Sequence, residues 1–364
     1  MKNIDKKSGA IIRDAKFFES PPFWISDWDE VNKFLDNIKK GIVTEIGKSY
    51  GGRPIRAVAY GEKEPIERKC NISISKHSGK PECFFDHSKR THPVILIIST
   101  IHGAEIEGCV SCVNISNVIE KGVDLRGRKW DNLKELAEKA RLIMVPLAQP
   151  DGRIRSAIKH LVGGTIDDLM YYGQGHPKTK QGEKPCWYSY DTPESPINLN
   201  NVGFLGGYYN DAGVNIDLDD FFSENIAPET RALLNLVRDE TPDIITILHS
   251  HNPGPWLSRP NSILPINVRY RQAVIGALVA DRHRREGLRP AWKPPSIDSS
   301  DRYFSAINLP IFLHQASGAL PTAFEFPHGL VGHPYTFDEI LDIGMTLIEE
   351  ILRYGVLYRN SCRI

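Results

Sequence analysis

Four short apolar runs constrain this chain most: Pro93 to Thr100, Leu142 to Leu147, Ile244 to Leu248 and Ala323 to Phe326. Each has the length of a strand rather than of a helix, and each lacks the polar alternation of a half-solvated strand, so all four read as buried strands. Helical patterns lie between them. One runs from Glu105 to Glu120. Another starts with Pro228 at its first position and sets Ala232, Leu233, Leu236 and Val237 on one face. In the last helix, Thr336 and Glu339 form a capping box, Ile340, Ile343, Leu347 and Ile351 recur on one side, and Gly355 is the expected stop. Near the start, Ser26 is the expected N-cap of a helix bearing Trp28, Val31, Phe34, Leu35 and Ile38, and a Gly51-Gly52 turn leads into a strand over Ile55 to Tyr60. Strands alternating with helices predict an α/β fold with a largely parallel sheet covered on both faces.

Composition bounds the rest. The 364 residues are 41% hydrophobic and 25% charged, the profile of a chain with a large buried core. With 45 basic and 45 acidic residues the formal charge is zero, which gives no reason to expect nucleic acid or an anionic membrane as a partner. Met1 to Arg13 is polar and charged, so no signal peptide is expected; no apolar run reaches membrane-spanning length, and a cytoplasmic protein with reduced thiols follows. Cys109 and Cys112 form a C-x-x-C without a second pair at zinc-finger spacing, and read as small helix-packing residues. Residues 1–22 read as an arm ahead of a catalytic domain over 23–364. Residues 62–92 read as a surface excursion, and residues 160–212, dense in Gly, Tyr, Pro and Lys, as a long ordered insertion near the functional site.

The chemistry begins where the first buried strand ends, in Ile101-His102-Gly-Ala-Glu105. A strand running into His-x-x-Glu puts two ligands in one turn at the carboxyl edge of the sheet, where open α/β folds carry their sites. A catalytic zinc needs a third protein ligand and an open position. His249, at the end of the run Ile244 to Leu248, supplies it. The alternative, two hydrogen-bonded core histidines, leaves the nearby glutamate unexplained. His251 lies two residues on and in an extended continuation shares the side of His249; it lines the site or serves as a substitute ligand. Glu325 is a single carboxylate inside Ala323-Phe-Glu-Phe326, costly to bury unless paired or functional, and beside a metal it has the chemistry of a general base and acid.

These segments, with others in the same order, resemble the zinc carboxypeptidase family of metallopeptidases over about residues 24–355. Ile46-Gly-Lys-Ser-Tyr-Gly-Gly-Arg-Pro-Ile55 is similar to an early family signature, and His102-Gly-Ala-Glu105 to the first two zinc ligands. Gln149-Pro-Asp-Gly152 resembles the family's Asn-Pro-Asp-Gly segment, Pro228-Glu-Thr-Arg-Ala232 with Leu248-His249-Ser250 the third-ligand region, and Phe324-Glu325-Phe326 the catalytic glutamate. The resemblance implies one α/β domain with a twisted, mixed sheet of about eight strands, one zinc ion per chain, and water attack on an amide carbonyl. A basic residue would steady the oxyanion; Arg155 is preferred over Arg153, both following Asp151-Gly152. Tyr303 sits one loop ahead of Glu325, where the family places a substrate-covering tyrosine.

One segment departs from the family. Its substrate-carboxylate clamp is an Asn-Arg pair in Gly-Val-Asn-x-Asn-Arg; here the segment reads Gly213-Val-Asn215-Ile-Asp217-Leu218. Leucine cannot make a bidentate contact to a carboxylate. Either Asp217 turns the preference toward a cationic group, or an arginine from elsewhere, the stretch between Arg259 and Arg302 included, takes over. The expected function is hydrolysis of peptide-like amides. A deacylase acting on N-acyl amino acids is the enzymatic alternative, and a silent peptide- or glycan-binding relative the non-enzymatic one, disfavoured because His102, Glu105, His249 and Glu325 are all present. Nothing in the sequence bears on oligomeric state.

Overall fold

The computed structural model describes residues 3–4, 11–12, 19–86, 89–178, 194–257, 261–289 and 306–358. Most of the expected N-terminal arm, Tyr303, Arg259 and Arg302, and the middle of the expected insertion lie outside these residues.

The first helix is α1 (Trp28–Asp36). Its cap is Asp27, whose side chain accepts from Asp29 N, and not the expected Ser26. The Ser26 hydroxyl instead donates to Lys159 O across the chain at 2.8 Å. Both residues suit the cap position, and the tertiary contact decides between them. An antiparallel pair follows, β1 (Ile42–Lys48) and β2 (Pro54–Tyr60). The four apolar runs form β3 (Val94–Ser99), β4 (Arg141–Val145), β5 (Ile244–His251) and, after a short β6 (Trp256–Leu257), β7 (Leu320–Pro327). Helices fill the intervals: α2 (Glu107–Lys121), α3 (Asp131–Glu138), α4 (Pro150–Ser156), α5 (Pro228–Glu240), α6 (Ile266–Arg285), α7 (Leu309–Ser317) and α8 (Phe337–Leu357).

The seven strands make one mixed sheet in the order β6-β7-β5-β3-β4-β2-β1. Its centre, β7-β5-β3-β4, is parallel, with antiparallel strands at both edges. Alternation along β3 assigns the two cores: Ile95 and Ile97 face a layer that includes Val113, Val279 and Leu347, while Leu96 and Ile98 face Leu233, Val237 and Leu313. Helices therefore cover both faces, as the continuous apolar runs require. Gly355 does not end α8, which continues to Leu357. A Cβ on Gly355 would stand 2.7 Å from Ile95 Cδ1, so the glycine is there to let the helix approach β3. Cys109 and Cys112 are buried in α2, and burial pushes the Cys109 thiol up to about 12, which fits their reading as packing residues. No helix among the described residues is long and apolar enough to cross a membrane.

Three of the segments quoted above are tied together by two buried carboxylates. Asp151, at the start of α4, accepts from Ser49 Oγ (2.5 Å), Gly51 N (2.9 Å), Arg53 Nη1 (2.7 Å) and Asp211 N (3.1 Å). Glu229, at the start of α5, accepts from Tyr50 N (2.9 Å) and Asn210 Nδ2 (3.1 Å). Burial works to raise the Asp151 carboxyl, but the hydrogen bonds from Ser49, Gly51, Asp211 and Arg53 outweigh it and hold the group below the usual range. A depressed carboxyl contributes stability that is present at neutral pH and lost as pH falls below about 4. Replacing Asp151 by Ala strands the buried Ser49 hydroxyl and takes the acceptor from Gly51 N and Asp211 N, while Arg53 Nη1 keeps Asp211 Oδ2; a stranded buried donor costs about 1–3 kcal/mol. Asp151→Ala is expected to lower unfolding stability at pH 7 by at least about 2 kcal/mol, with the gap to wild type narrowing below pH 4. Urea melts at pH 7 and pH 3 check both, and equal stability at pH 7 would refute the hub.

Candidate metal centre

The site is assembled at the carboxyl ends of β3, β5 and β7. Leaving β3, the chain turns sharply at Thr100, a buried residue with φ of 53°. A β-branched residue rarely adopts this left-handed region, and such strain gathers where a chain must aim a functional group. The turn is held by Ala148 N on Ser99 O and Gln149 N on Thr100 O, each 3.0 Å. The next turn brings Gly103 onto the start of α4. A Cβ on Gly103 would lie 2.0 Å from the carbonyl carbon of Gly152, while Gly103 N donates to Gly207 O at 2.6 Å. Beneath it, the fully buried Arg153 donates to Gly103 O (2.9 Å) and to Ile158 O.

His102, Glu105 and His249 converge: their ligand atoms lie within 4.8 Å of one another and all three side chains are buried. Both histidines present Nδ1. His102 Nδ1 is 2.9 Å from Glu105 Oε1, and His249 Nδ1 is 2.9 Å from Glu105 Oε2. Ser250 N also donates to Glu105 Oε2, at 3.2 Å. The remaining nitrogen of His102, Nε2, meets Asn215 Oδ1 at 3.0 Å, and the ring of Tyr208 stacks on the imidazole, with centroids 4.0 Å apart and planes 11° from parallel. Burial disfavours the charged Glu105, but both histidines overcome it and hold its carboxyl well below the usual range. Burial likewise disfavours a charged His249, and Glu105 reverses that, raising its pKa to about 10.

Glu325 sits beside this set by register, because β7 runs parallel to β5 with Glu325 paired to His249. Burial pushes its carboxyl up to about 7, with Glu105 and Asp217 adding to the rise and His249 and His102 opposing it. Asp217 therefore belongs to the same electrostatic neighbourhood. It lies in a single 3-10 turn, Ile216–Leu218, with its own N–H on Asn215 Oδ1, and its Oδ1 is buried without a hydrogen-bond partner among the described residues. Leu218 beside it is 43% exposed.

Other candidates are placed less centrally. Arg155 gives both terminal nitrogens to Tyr209 O (3.0 and 2.6 Å) and stands 3.4 Å from Asp211. His251 is exposed at the end of β5, edge-on to Trp256 at 4.8 Å, and is not one of the converging ligands. Tyr303 lies outside the described residues. Sequence reasoning missed Tyr208 and the role of Asn215. Tyr208 comes from a stretch without periodicity and carries no local signal; Asn215 was visible only as part of the altered Gly213 to Leu218 segment.

Two imidazole nitrogens and a carboxylate are the donor set of a catalytic zinc site, which keeps its fourth position open. Ligand atoms around a tetrahedral zinc stand about 3.4 Å apart, given bonds near 2.05 Å, so the cluster needs little rearrangement to take the ion. Among the described residues no other group of three such side chains converges in this way.

Comparison with known proteins bears on the family and the fold. Residues 31–260 match the family described as zinc carboxypeptidase. A metallo-carboxypeptidase from Burkholderia cenocepacia shares the fold over 92% of this chain and 71% of its own, with a TM-score of 0.56 and 13% identity. A metallo-carboxypeptidase from Pseudomonas aeruginosa, in complex with (2-guanidinoethylmercapto)succinic acid, covers 92% and 70% with a TM-score of 0.53 and 13% identity. Bovine thrombin-activatable fibrinolysis inhibitor, in complex with tick carboxypeptidase inhibitor, covers 93% and 100% with a TM-score of 0.55 and 11% identity. No curated protein sequence matches the chain significantly. The fold and the converging site define a metallocarboxypeptidase-like architecture. The chain belongs to the zinc carboxypeptidase family, a zinc-dependent one.

Purified protein is expected to hold one divalent metal per chain, and His249→Ala to lose it, because the remaining two ligands are too few for a tightly held catalytic zinc. Elemental analysis of both proteins decides, and undiminished metal in the variant would remove His249 from the set.

Proposed function

We propose that this chain is a zinc-dependent hydrolase of peptide-like amide bonds, with His102, Glu105 and His249 as metal ligands and Glu325 as general base and acid. The observation carrying this reading is the approach of both Nδ1 atoms to one carboxylate, with Glu325 level with His249 on the next strand. A bound zinc supplies Lewis acidity, lowering the pKa of water toward about 7 and polarising the scissile carbonyl. Glu325 takes the proton of the attacking water and returns it to the leaving amine, the role of a general base and acid. Arg155 is the candidate for steadying the oxyanion, which requires it to exchange its Tyr209 carbonyl contact for the substrate. His251 and Tyr303 are the proposed outer contacts to substrate. Peptides or small amides are the substrate class.

Glu325→Gln is expected to keep metal and fold while losing about 10²–10⁴-fold in turnover, the usual weight of a general acid–base group. A near wild-type rate on the best substrate would make Glu325 structural.

Specificity follows from Asp217 and Leu218. A bidentate clamp on a terminal carboxylate would contribute about 1.5–3 kcal/mol, and neither side chain can provide it. Amidating the C-terminus of a good peptide substrate is therefore expected to change kcat/KM by less than about tenfold, one decade being about 1.4 kcal/mol. Paired kinetics on the free acid and the amide test this. A hundredfold preference for the acid would show that another basic residue has assumed the clamp.

A further inference from the structure

Behind the ligands lies a second buried polar set that the reaction does not use. Glu107, the first residue of α2, accepts from Ser250 Oγ at 2.5 Å, and its other oxygen lies 3.0 Å from His328 Nδ1. The Glu107 and His328 side chains are both fully buried, and Ser250 nearly so. A buried carboxylate beside a buried imidazole is a weak source of stability, because desolvation offsets much of the attraction, so its presence calls for another explanation.

That explanation lies in where the three residues sit. Glu107 follows Glu105 by two residues, Ser250 follows His249 directly, and His328 follows Glu325 by three. The set thus joins the segments that carry two proposed ligands and the proposed base, which enter the site from the turn before α2, from β5 and from β7. It also fixes the peptide whose N–H, Ser250 N, donates to Glu105 Oε2. We infer that Glu107, Ser250 and His328 are positioning residues, a staple that sets the spacing of Glu105, His249 and Glu325 before metal arrives. None of the three touches the metal cluster through its own side chain; they act through the segments they join. Outer partners of this kind typically contribute 10–100-fold to metal affinity.

The inference rests on reading His102, Glu105 and His249 as ligands, so the test begins with wild type. Full-length protein is titrated with zinc against a chromophoric chelator, followed by Ser250→Ala, Ser250→Thr and Glu107→Gln. Absence of stoichiometric zinc binding by wild type would overturn the ligand assignment and the staple with it. With wild type binding one zinc, Ser250→Ala is expected to weaken affinity about 10–100-fold while KM at saturating zinc stays unchanged, since no substrate contact is lost. Ser250→Thr, which retains the hydroxyl, is expected to restore affinity. If Ser250→Ala binds zinc as wild type does, and only its melting temperature falls, the set is merely structural and the inference fails alone. Should Glu107→Gln not fold, the Ser250 pair decides by itself.

Discussion

The site depends on a backbone contact that only glycine permits. Gly103 lies against Gly152 so closely that a Cβ would come within 2.0 Å of a carbonyl carbon, and Gly207 O closes on Gly103 N from the other side. That contact brings the turn after β3, the start of α4 and the 207–215 loop into one place. His102 is thereby set between Tyr208 and Asn215 from the loop and Glu105 from its own turn. Arg153, buried under the same turn, gives both terminal nitrogens to the carbonyls that shape it, while its Nε is buried without a hydrogen-bond partner among the described residues. The Asp151 and Glu229 hubs extend this packing outward to the 46–55 loop and α5, so distant parts of the sequence act as a single support.

Much of this was legible in the chain. The four apolar runs are strands because continuous burial on both faces leaves no room for polar alternation, and the two histidines stand out because each ends or follows such a run. The convergence of His102, Glu105 and His249 follows from two neighbouring parallel strands, β3 and β5, ending at one edge. Local signals fared worse where tertiary contacts chose between equivalents. Asp27 displaced Ser26 as cap because Ser26 found Lys159 O. Gly355 looked like a helix stop, yet it serves a close approach to Ile95. Tyr208 was invisible because a residue in an aperiodic stretch gains its position only from the fold, and Glu107 with His328 reads as a pair only when β5, β7 and α2 are brought together.

Glu105, Glu325 and Asp217 share the neighbourhood of two buried imidazoles, and burial raises the Glu325 carboxyl to about 7 with help from its acidic neighbours. Coulomb repulsion among groups a few ångströms apart is weakly screened in such a place. A proton on Glu325 or a bound cation would relieve it. Arg53, Arg153 and Arg155 make their hydrogen bonds elsewhere, to Asp151 and Asp211, to Gly103 O and Ile158 O, and to Tyr209 O. A divalent ion among His102, Glu105 and His249 would offset the excess where it is greatest. Asp217, whose buried Oδ1 has no hydrogen-bond partner among the described residues, and Glu325 both stand outside that ligand set.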